Sequence, residues 1–348
     1  MSKTLIAMSG GVDSSVAAHL MQEKGFHCGG AIMQLWKEVS TGAIADAQSV
    51  ALRLGMDFHV LDASDQFRQQ VVDYFVRSYE EGLTPNPCIQ CNRHLKFSFF
   101  LDRALALGYD SIATGHYAVI RKDPVSGRYL LCKAVDHTKD QSYFLTCLNQ
   151  YQLSHAHFPL GELTKEQARM IAEAQGFVNA KKKDSQDICF VPDGDYVAFM
   201  KRYTGKDYPH GDYLDLEGKV VGQHCGAVCY TLGQRKGLGI AMGAPVYVCS
   251  KDMQANTVTV GPESALFATT LIADNWNWFP FETLTEPIRV MAKARYRHIP
   301  QPATVYPMDS GKAKVVFDTP QRAMTPGQTV ALYEGDMVVG GGIIAEVL

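Results

Sequence analysis

The feature that most constrains the fold of this chain is a glycine-rich turn that joins an apolar run to a helical one near the start of the sequence. The apolar run KTLIAM is followed by SGGVDSS, and a helical pattern of apolar residues begins inside that motif. Gly10 and Gly11 supply unusual backbone angles, and we expect Ser14 or Ser15 to cap the helix. Two interpretations are open: a plain strand-to-helix turn, or a phosphate-binding loop whose N–H groups and helix dipole attract an anion.

This loop differs from the common mononucleotide-binding loop. The pattern GxxxxGK[ST] requires a lysine after its last glycine, whereas Val12 and Asp13 follow Gly11 here. If the turn binds phosphate, it therefore does so by an arrangement other than the ordinary P-loop.

Size and composition limit the classes of protein that the chain can form. Its 348 residues are 46% hydrophobic, enough for two or three domains with large cores. Acidic residues number 36 and basic residues 33, so the formal charge of -3 gives no overall field for polyanions, and any nucleic-acid contact is local. We find no leader segment and no apolar run of membrane-spanning length, which predicts a cytoplasmic protein without a membrane partner. Nine cysteines without the dense spacing of a secreted framework predict reduced thiols.

The order of apolar and helical segments predicts an α/β fold followed by two further domains. Apolar runs alternate with helical-period segments at 14–24, 44–54, 65–81 and 95–107, which is typical of a parallel sheet. A further helix is expected to open with the capping pair Thr164 and Gln167 and to close at Gly176. We therefore predict a parallel α/β domain over residues 1–200, a small central β-containing domain over 201–268 and an antiparallel β-barrel over 269–348.

In this context the SGGVDSS turn resembles the PP-loop of the ATP pyrophosphatases, which hold the β,γ-pyrophosphate of ATP and cleave between the α and β phosphates. The resemblance implies that AMP is left on an oxygen of the substrate. Two glycines would let the backbone approach the phosphates, serine hydroxyls would donate hydrogen bonds, and Asp13 would hold Mg²⁺ against the departing pyrophosphate. The glycines and serines concerned are Gly10, Gly11, Ser9, Ser14 and Ser15.

Further motifs occur in an order that covers nearly the whole chain. They are LTPNPCIQCNRHLKF, ATGHYA, KDQSYFL, KKKDSQDICFVP, YTLGQRKGLGI and ARYR. Together they closely resemble the tRNA-specific 2-thiouridylase family, MnmA. The resemblance implies an enzyme that uses ATP and a persulfide to replace the 2-oxygen of the wobble uridine with sulfur in tRNAs for lysine, glutamate and glutamine. It also implies a cysteine desulfurase or a sulfur-relay protein as the sulfur donor.

The chemistry of that reaction gives roles to two cysteines. A uridine carbonyl is a poor electrophile, so adenylation makes its oxygen a leaving group, and a sulfur nucleophile then attacks the same carbon. One cysteine carries the sulfur as a persulfide, and a second forms a disulfide with it as the product leaves. Matching motifs imply Cys189 as the carrier and Cys91 as its partner, the alternative being that both are small buried side chains. Cys132, Cys147 and Cys249 lie in apolar runs and are expected in the core.

The resemblance also implies binding positions along the chain. ATP would contact Ala7, Met8, Ser9, Gly10, Gly11, Val12, Asp13, Ser14, Met33 and Gly115. The target base would lie at Asn86, Pro87 and Cys88. Contacts with tRNA would come from His116, Lys139, Asp140, Gln141, Arg295, Tyr296 and Gln328. Plain core packing remains open for Met33, and a plain turn for Gly115.

Basic residues are concentrated at two places. In RVMAKARYR, strand periodicity separates a basic face from an apolar face, which fits phosphate contact and a solvated surface equally. The basic face consists of Arg289, Lys293, Arg295 and Arg297, and the apolar face of Val290, Ala292 and Ala294. Three lysines before Cys189 are expected to lower the pKa of its thiol and to attract RNA, unless they are simply solvated. They are Lys181, Lys182 and Lys183.

One position departs from the family pattern. Many members carry aspartate where this chain has Cys88, so the site offers three cysteines, Cys88, Cys91 and Cys189. Three thiolates match a [4Fe–4S] cluster with one open iron for the transferred sulfur, an alternative to the persulfide scheme. A structural zinc lacks a clear fourth ligand, since His94 is the only nearby candidate. Two other classes stay open: a different adenylating PP-loop synthetase would need neither Cys91 nor Cys189, and a non-catalytic RNA-binding module would not need Asp13.

Overall fold

The first part of the chain forms a parallel sheet, as the alternating pattern predicts. The computed structural model describes residues 1–36, 41–182 and 188–348. The strands of this part are β1 (Lys3–Ala7), β2 (His27–Gln34), β3 (Phe58–Asp62), β4 (Ser111–Thr114), β5 (Val119–Lys122), β6 (Tyr129–Cys132) and β7 (Ala156–His157). Five of them pair in parallel in the order β3-β2-β1-β4-β7, which confirms the α/β class. Because the strand order reverses beside β1, a ligand crevice is expected at the carboxyl ends of β1 and β4.

Helices lie between these strands, and two of them contain a wide π-helical turn. Their bounds are α1 (Val12–Glu23), α2 (Thr41–Arg53), α3 (Ser64–Phe67), α4 (Asp73–Glu80), α5 (Pro87–Gln90), α6 (Phe100–Ala106), α7 (Gln150–Ser154), α8 (Lys165–Ala174) and α9 (Tyr196–Thr204). The π-helical segments Arg68–Val72 and Cys91–Phe99 join α3 to α4 and α5 to α6. Within these ranges no helix is long and apolar enough to cross a membrane.

The helix starts follow local capping chemistry. The predicted capping box of Thr164 and Gln167 at α8 is confirmed. The helix predicted over 95–107 begins earlier, at Pro87, because the Asn86 side chain accepts from the backbone of Ile89 and proline suits the first helical position. The cysteine motif therefore lies on a helix rather than on a loop.

The rest of the chain forms a mixed central sheet and an antiparallel barrel. The small central sheet has β8 (Gly211–Leu214), β9 (Val220–His224), β10 (Tyr247–Asp252) and β11 (Thr257–Gly261), in the order β10-β11-β8-β9, and β8 and β11 pair in parallel. The barrel strands are β12 (Phe267–Trp278), β13 (Ile288–Lys293), β14 (Gln301–Pro307), β15 (Ala313–Arg322), β16 (Thr329–Glu334) and β17 (Met337–Val347). Pairing of β17 back to β12 closes the barrel, which confirms the predicted architecture. The hairpin of β5 and β6 extends this sheet through Cys132 and Met337, a pairing that the sequence did not predict.

A shared apolar core joins the parallel sheet to the barrel. Leu5 of β1, Phe97, Tyr143 and Tyr333 of β16 are all buried in one cluster. The Tyr143 hydroxyl also donates to the backbone carbonyl of Thr329 at 2.8 Å. Full burial of a large apolar side chain stabilises a fold by about 1.5–3 kcal/mol, so several at one junction hold the barrel firmly against the sheet.

Candidate nucleotide and thiol site

A large cavity lies at the carboxyl ends of the parallel strands. Its volume is about 920 Å³, and it opens where β1 and β4 meet. The predicted residues that line it are Ala7, Met8, Ser9, Asp13, Ser14, Met33, Gly115, His116, Gln141 and Cys189. The fold thus brings the glycine-rich loop and a cysteine from far along the chain to one space. A pocket of this size accommodates a nucleotide and part of a second substrate.

The glycine-rich loop is held against neighbouring backbone at two points. Gly10 has a φ of +70°, and a Cβ there would lie 2.6 Å from the carbonyl oxygen of Ala43 in α2. A Cβ at Gly115 would lie 2.7 Å from the carbonyl carbon of Asp13. A side chain at either position would force the loop away from its neighbours, so glycine is required there.

The predicted serine cap of α1 is wrong. The helix begins at Val12 with Gly11 as its N-cap, and no side chain caps it. Because the helix starts before the serines, Ser14 and Ser15 lie inside its first turn, and both hydroxyls donate to the carbonyl of Gly11 at 3.1 Å. The first N–H groups of the helix therefore lack a side-chain acceptor, which suits a bound anion.

Lysines that are remote in sequence surround the loop. Lys165, the first residue of α8, donates to both carboxylate oxygens of Asp13 at 2.8 and 2.9 Å, and the Tyr117 hydroxyl donates to the same carboxylate at 3.0 Å. Lys182 donates to the Gly10 carbonyl at 3.1 Å and to Asp46 at 2.8 Å. Lys165 was not predicted as a site residue and Lys182 was predicted only as part of a basic run, so the fold alone brings both lysines to the loop.

The three predicted cysteines interact electrostatically. Cys91 is buried, whereas Cys88 and Cys189 are exposed. Desolvation raises the pKa of Cys91 to about 12, Lys96 opposes this shift, and the neighbouring Cys189 and Cys88 thiols add to it. Desolvation also raises the pKa of Cys189, as does Cys88, while Lys96 lowers it. The three thiols are thus neighbours, and Lys96 is a cation common to them.

The expected influence of three lysines on the Cys189 thiol is not observed for the described ones. Lys182 points to Gly10 and Asp46, and Lys183 lies outside the described residues. The cation that lowers the pKa of Cys189 is Lys96, which the sequence analysis did not single out.

The positions of the donor side chains limit which metal ions the site could hold. In the described part of the chain, no group of three or more His, Cys, Asp or Glu side chains could hold a metal ion. Among these residues the structure thus presents no preassembled ligand set for a [4Fe–4S] cluster at Cys88, Cys91 and Cys189 or for a zinc site with His94. Asp13 alone could still offer a carboxylate to Mg²⁺ beside phosphate oxygens, a common arrangement for that ion.

The loop predicted to meet the target base is anchored to the barrel. Gln328 donates through its side-chain amide to the carbonyl of Thr84 at 2.8 Å and to that of Pro85 at 3.3 Å. Asn86 then caps α5, and Pro87 begins it. The barrel therefore sets the position of the loop that precedes Cys88.

Several residues predicted to contact tRNA have partners within the chain. Buried Asp140 accepts from the backbone and hydroxyl of Ser142. Gln141 accepts from the backbone of Tyr117 at 2.9 Å. Tyr296 packs against Phe144 with ring centroids 4.4 Å apart. Their contacts with RNA, and those of His116, Lys139 and Gln328, stay predictions.

The side chains of the predicted basic face contact different partners within the chain. Its apolar face is confirmed, since Val290, Ala292 and Ala294 are buried. On the basic face, Arg289 pairs with Asp318, and Lys293 lies within 5.5 Å of the rings of Tyr143, Tyr296 and Tyr333. Arg295 donates to the carbonyl of Leu232 at 3.1 Å and to the Thr325 hydroxyl. Only part of this face is thus free for a ligand.

Three family models match successive parts of the chain. They are described as the tRNA methyl transferase HUP domain over residues 2–193, the tRNA methyl transferase PRC-barrel domain over 197–262 and the Aminomethyltransferase beta-barrel domain over 268–344. With the parallel sheet, the glycine-rich loop and its cavity, they define a PP-loop nucleotide-binding protein of a tRNA-modifying class.

Relatives that match the chain over its full length identify the family within this tRNA-modifying class. A protein of Acetivibrio thermocellus named tRNA-specific 2-thiouridylase MnmA is 48% identical over 98% of this chain and 99% of its own. One of Clostridioides difficile with the same name is 46% identical over 99% of each. The chain belongs to the tRNA-specific 2-thiouridylase family. A solved 4-thiouridine synthetase–RNA complex with bound ATP is 15% identical over 58% of this chain and 50% of its own, with a TM-score of 0.35, too low to support an argument.

Proposed function

We propose that this chain is an ATP-dependent tRNA sulfurtransferase that converts the wobble uridine to 2-thiouridine. The observation that carries the proposal is the single cavity shared by Ser9 and Asp13 of the glycine-rich loop and by Cys189. Adenylation and sulfur transfer need an ATP site and a nucleophilic sulfur within reach of one carbonyl carbon. The names of the full-length relatives support the same activity.

In the first step the 2-oxygen of uridine attacks the α-phosphate of ATP and pyrophosphate leaves. The uncapped N–H groups at the start of α1 would bind the departing phosphates, and Lys165 would add positive charge beside them. Mg²⁺, when bound beside Asp13, would neutralise charge on the pyrophosphate. The base then carries AMP on its 2-oxygen.

In the second step the terminal sulfur of a Cys189 persulfide attacks the same carbon, and AMP leaves with the oxygen. The base is then joined to Cys189 through a disulfide bond. The Cys91 thiolate attacks the Cys189 sulfur, a Cys91–Cys189 disulfide forms, and the bonding electrons leave with the sulfur of 2-thiouridine. A small thiol reductant restores both cysteines, and a persulfide donor such as a cysteine desulfurase or relay protein reloads Cys189.

We further propose that tRNA lies across the sheet and the barrel. The loop that Gln328 anchors would receive the flipped base near Cys88, and the exposed edge of Tyr296 would contact the RNA beside it. Lysine, glutamine and glutamate tRNAs are the expected substrates by family resemblance.

The test is nucleoside mass spectrometry of tRNA after incubation with the protein, ATP, Mg²⁺ and a persulfide donor. We expect 2-thiouridine at the wobble position and one AMP per sulfur from protein prepared without oxygen and free of iron. Cys189→Ser should form AMP but no thiolated tRNA, whereas Cys249→Ser, at a cysteine outside the cavity, should behave as wild type. A need for added iron would refute the persulfide route, and AMP formation without sulfur transfer by the wild type would favour another adenylating synthetase.

A further inference from the structure

One cation lies between the nucleotide cavity and the cysteine cluster. Lys96 lines the cavity together with Ser9, Asp13 and Cys189. It belongs to the same π-helical segment as Cys91. Lys96 lies within the motif LTPNPCIQCNRHLKF, but a lysine on a helix is usually solvated, so the sequence alone gives it no role.

The π-helical segment explains why Lys96 and Cys91 share a side of the helix. In an α-helix with 3.6 residues per turn, a residue five positions further on lies about 140° around the axis. In a π-helix the backbone bonds run from i to i+5, so the fifth residue comes back close to the first. The wide turn over Cys91–Phe99 therefore brings Lys96 closer to the side of the helix that carries Cys91 than an α-helix would.

A buried histidine holds the ammonium group in place. The Nε2 atom of His116 lies 3.4 Å from the Nζ atom of Lys96, and its Nδ1 atom lies 2.7 Å from the Thr114 hydroxyl. An ammonium group can only donate, so Nε2 accepts and the ring hydrogen is on Nδ1. Burial and the charge of Lys96 both lower the pKa of His116, which keeps the ring neutral and able to accept.

Lys96 has no carboxylate partner among the described ion pairs. A partly buried cation without a counter-charge binds an anion more strongly than a solvated one does. Apart from His116, the ionisable groups that its charge affects include the thiols of Cys88, Cys91 and Cys189, and at each thiol Lys96 opposes the rise in pKa that burial causes.

We propose that Lys96 is the positioning residue for the anionic sulfur: its ammonium group stabilises the thiolate or persulfide carried by Cys189. The inference rests on the proposed function for the identity of the reaction. The effect of the Lys96 charge on the Cys189 thiol does not depend on which reaction the protein catalyses. The other groups that face Cys189 are Cys88 and Cys91, and Asp13, His116, Arg202 and Tyr203 line the same cavity.

The test measures the rate of alkylation of Cys189 by iodoacetamide against pH, with mass spectrometry of the labelled peptide. Lys96→Met should move the profile to higher pH and slow labelling at neutral pH by roughly threefold to tenfold, since one pKa unit is a tenfold change in thiolate. Lys96→Arg, which keeps the charge, should stay close to wild type. Lys122→Met, on the distant hairpin of β5 and β6, is the matched lysine control.

Two outcomes would overturn the proposal. An unchanged Cys189 profile in Lys96→Met overturns the proposal. A loss of ATP affinity by tenfold or more on calorimetric titration with MgATP, with no change in the thiol profile, identifies Lys96 as a phosphate ligand instead and equally overturns it. Labelling of Cys28, which is buried in β2, reports misfolding independently. Because the thiol titration uses neither ATP nor tRNA, it gives its answer even if the wild type fails to thiolate tRNA.

Discussion

At the scale of single residues, the carboxylate of Asp13 has two competing partners. Lys165 and Tyr117 occupy it in the structure, whereas the proposed reaction requires it to face Mg²⁺ and phosphate. Both arrangements of Asp13 can occur in turn. When MgATP binds, its phosphates would attract the Lys165 ammonium group, and the Asp13 carboxylate would turn toward Mg²⁺. The Asp13–Lys165 ion pair thus neutralises both charges until the nucleotide binds.

Removal of this carboxylate should separate adenylation from RNA binding. We expect Asp13→Ala to lower AMP formation by about a hundredfold or more, the size of effect seen when one electrostatic contact to a reacting group is lost. Its tRNA affinity should stay close to wild type, because the proposed RNA contacts lie elsewhere. Radiolabelled ATP and filter binding measure the two quantities, and Glu23→Ala, at the far end of the same helix, is the control. Wild-type AMP formation by Asp13→Ala would show that the assignment is wrong.

At the scale of elements, the glycine-rich loop depends on its contact with α2. Gly10 combines a left-handed backbone with a Cβ position that would overlap the backbone of Ala43. Gly25, after α1, has a φ of +83° and nothing within 4 Å of its Cβ position. The two glycines therefore share the same kind of backbone strain but differ in the clash.

This difference makes a controlled experiment. Gly10→Ala and Gly25→Ala should each lose about 1–2 kcal/mol of stability from the left-handed conformation, as measured by urea unfolding. Only Gly10→Ala should also lose ATP affinity on calorimetric titration, because the added methyl group displaces the loop from α2. Equal ATP affinity in both variants would mean that the loop tolerates the displacement.

At the scale of the whole molecule, Arg295 links the central domain to the barrel. Its guanidinium donates to Leu232 on one side and to Thr325 on the other. Burial also lowers the pKa of its guanidinium, because desolvation disfavours the charged form. The Arg295 side chain therefore connects the central domain to the barrel through hydrogen bonds.

We expect Arg295→Ala to lower the Tm and to leave the salt dependence of tRNA binding unchanged. Loss of two hydrogen bonds from a charged donor costs about 2–4 kcal/mol, and the exposed Arg297→Ala should cost nothing comparable. Thermal unfolding and binding at several salt concentrations give both values. A slope of log affinity against log salt that is smaller by about one would instead reveal a direct phosphate contact, as the sequence pattern alone suggested.

The sequence by itself determined the elements and the loop. The alternation of apolar and helical segments predicted the parallel sheet, and short strands with turns predicted the barrel, because periodicity reports which face of an element is buried. The ordered motifs predicted the family and the residues that line the cavity. Periodicity and motifs are local features of the sequence, so they can be interpreted without knowing which elements pack against each other.

The tertiary structure alone decided which remote side chains complete the site. Lys165 and Lys182 reach the loop from more than a hundred residues away, and no periodicity in the sequence marks a lysine that contacts such a loop. Lys96 faces the thiols because a π-helical turn changes its direction, which the residue spacing of an α-helix would not predict. Arg295 looked like a free cation on a strand until its partners in two other segments were known. Electrostatic partners are set by distance in space, and distance in space follows from the packing of the whole chain.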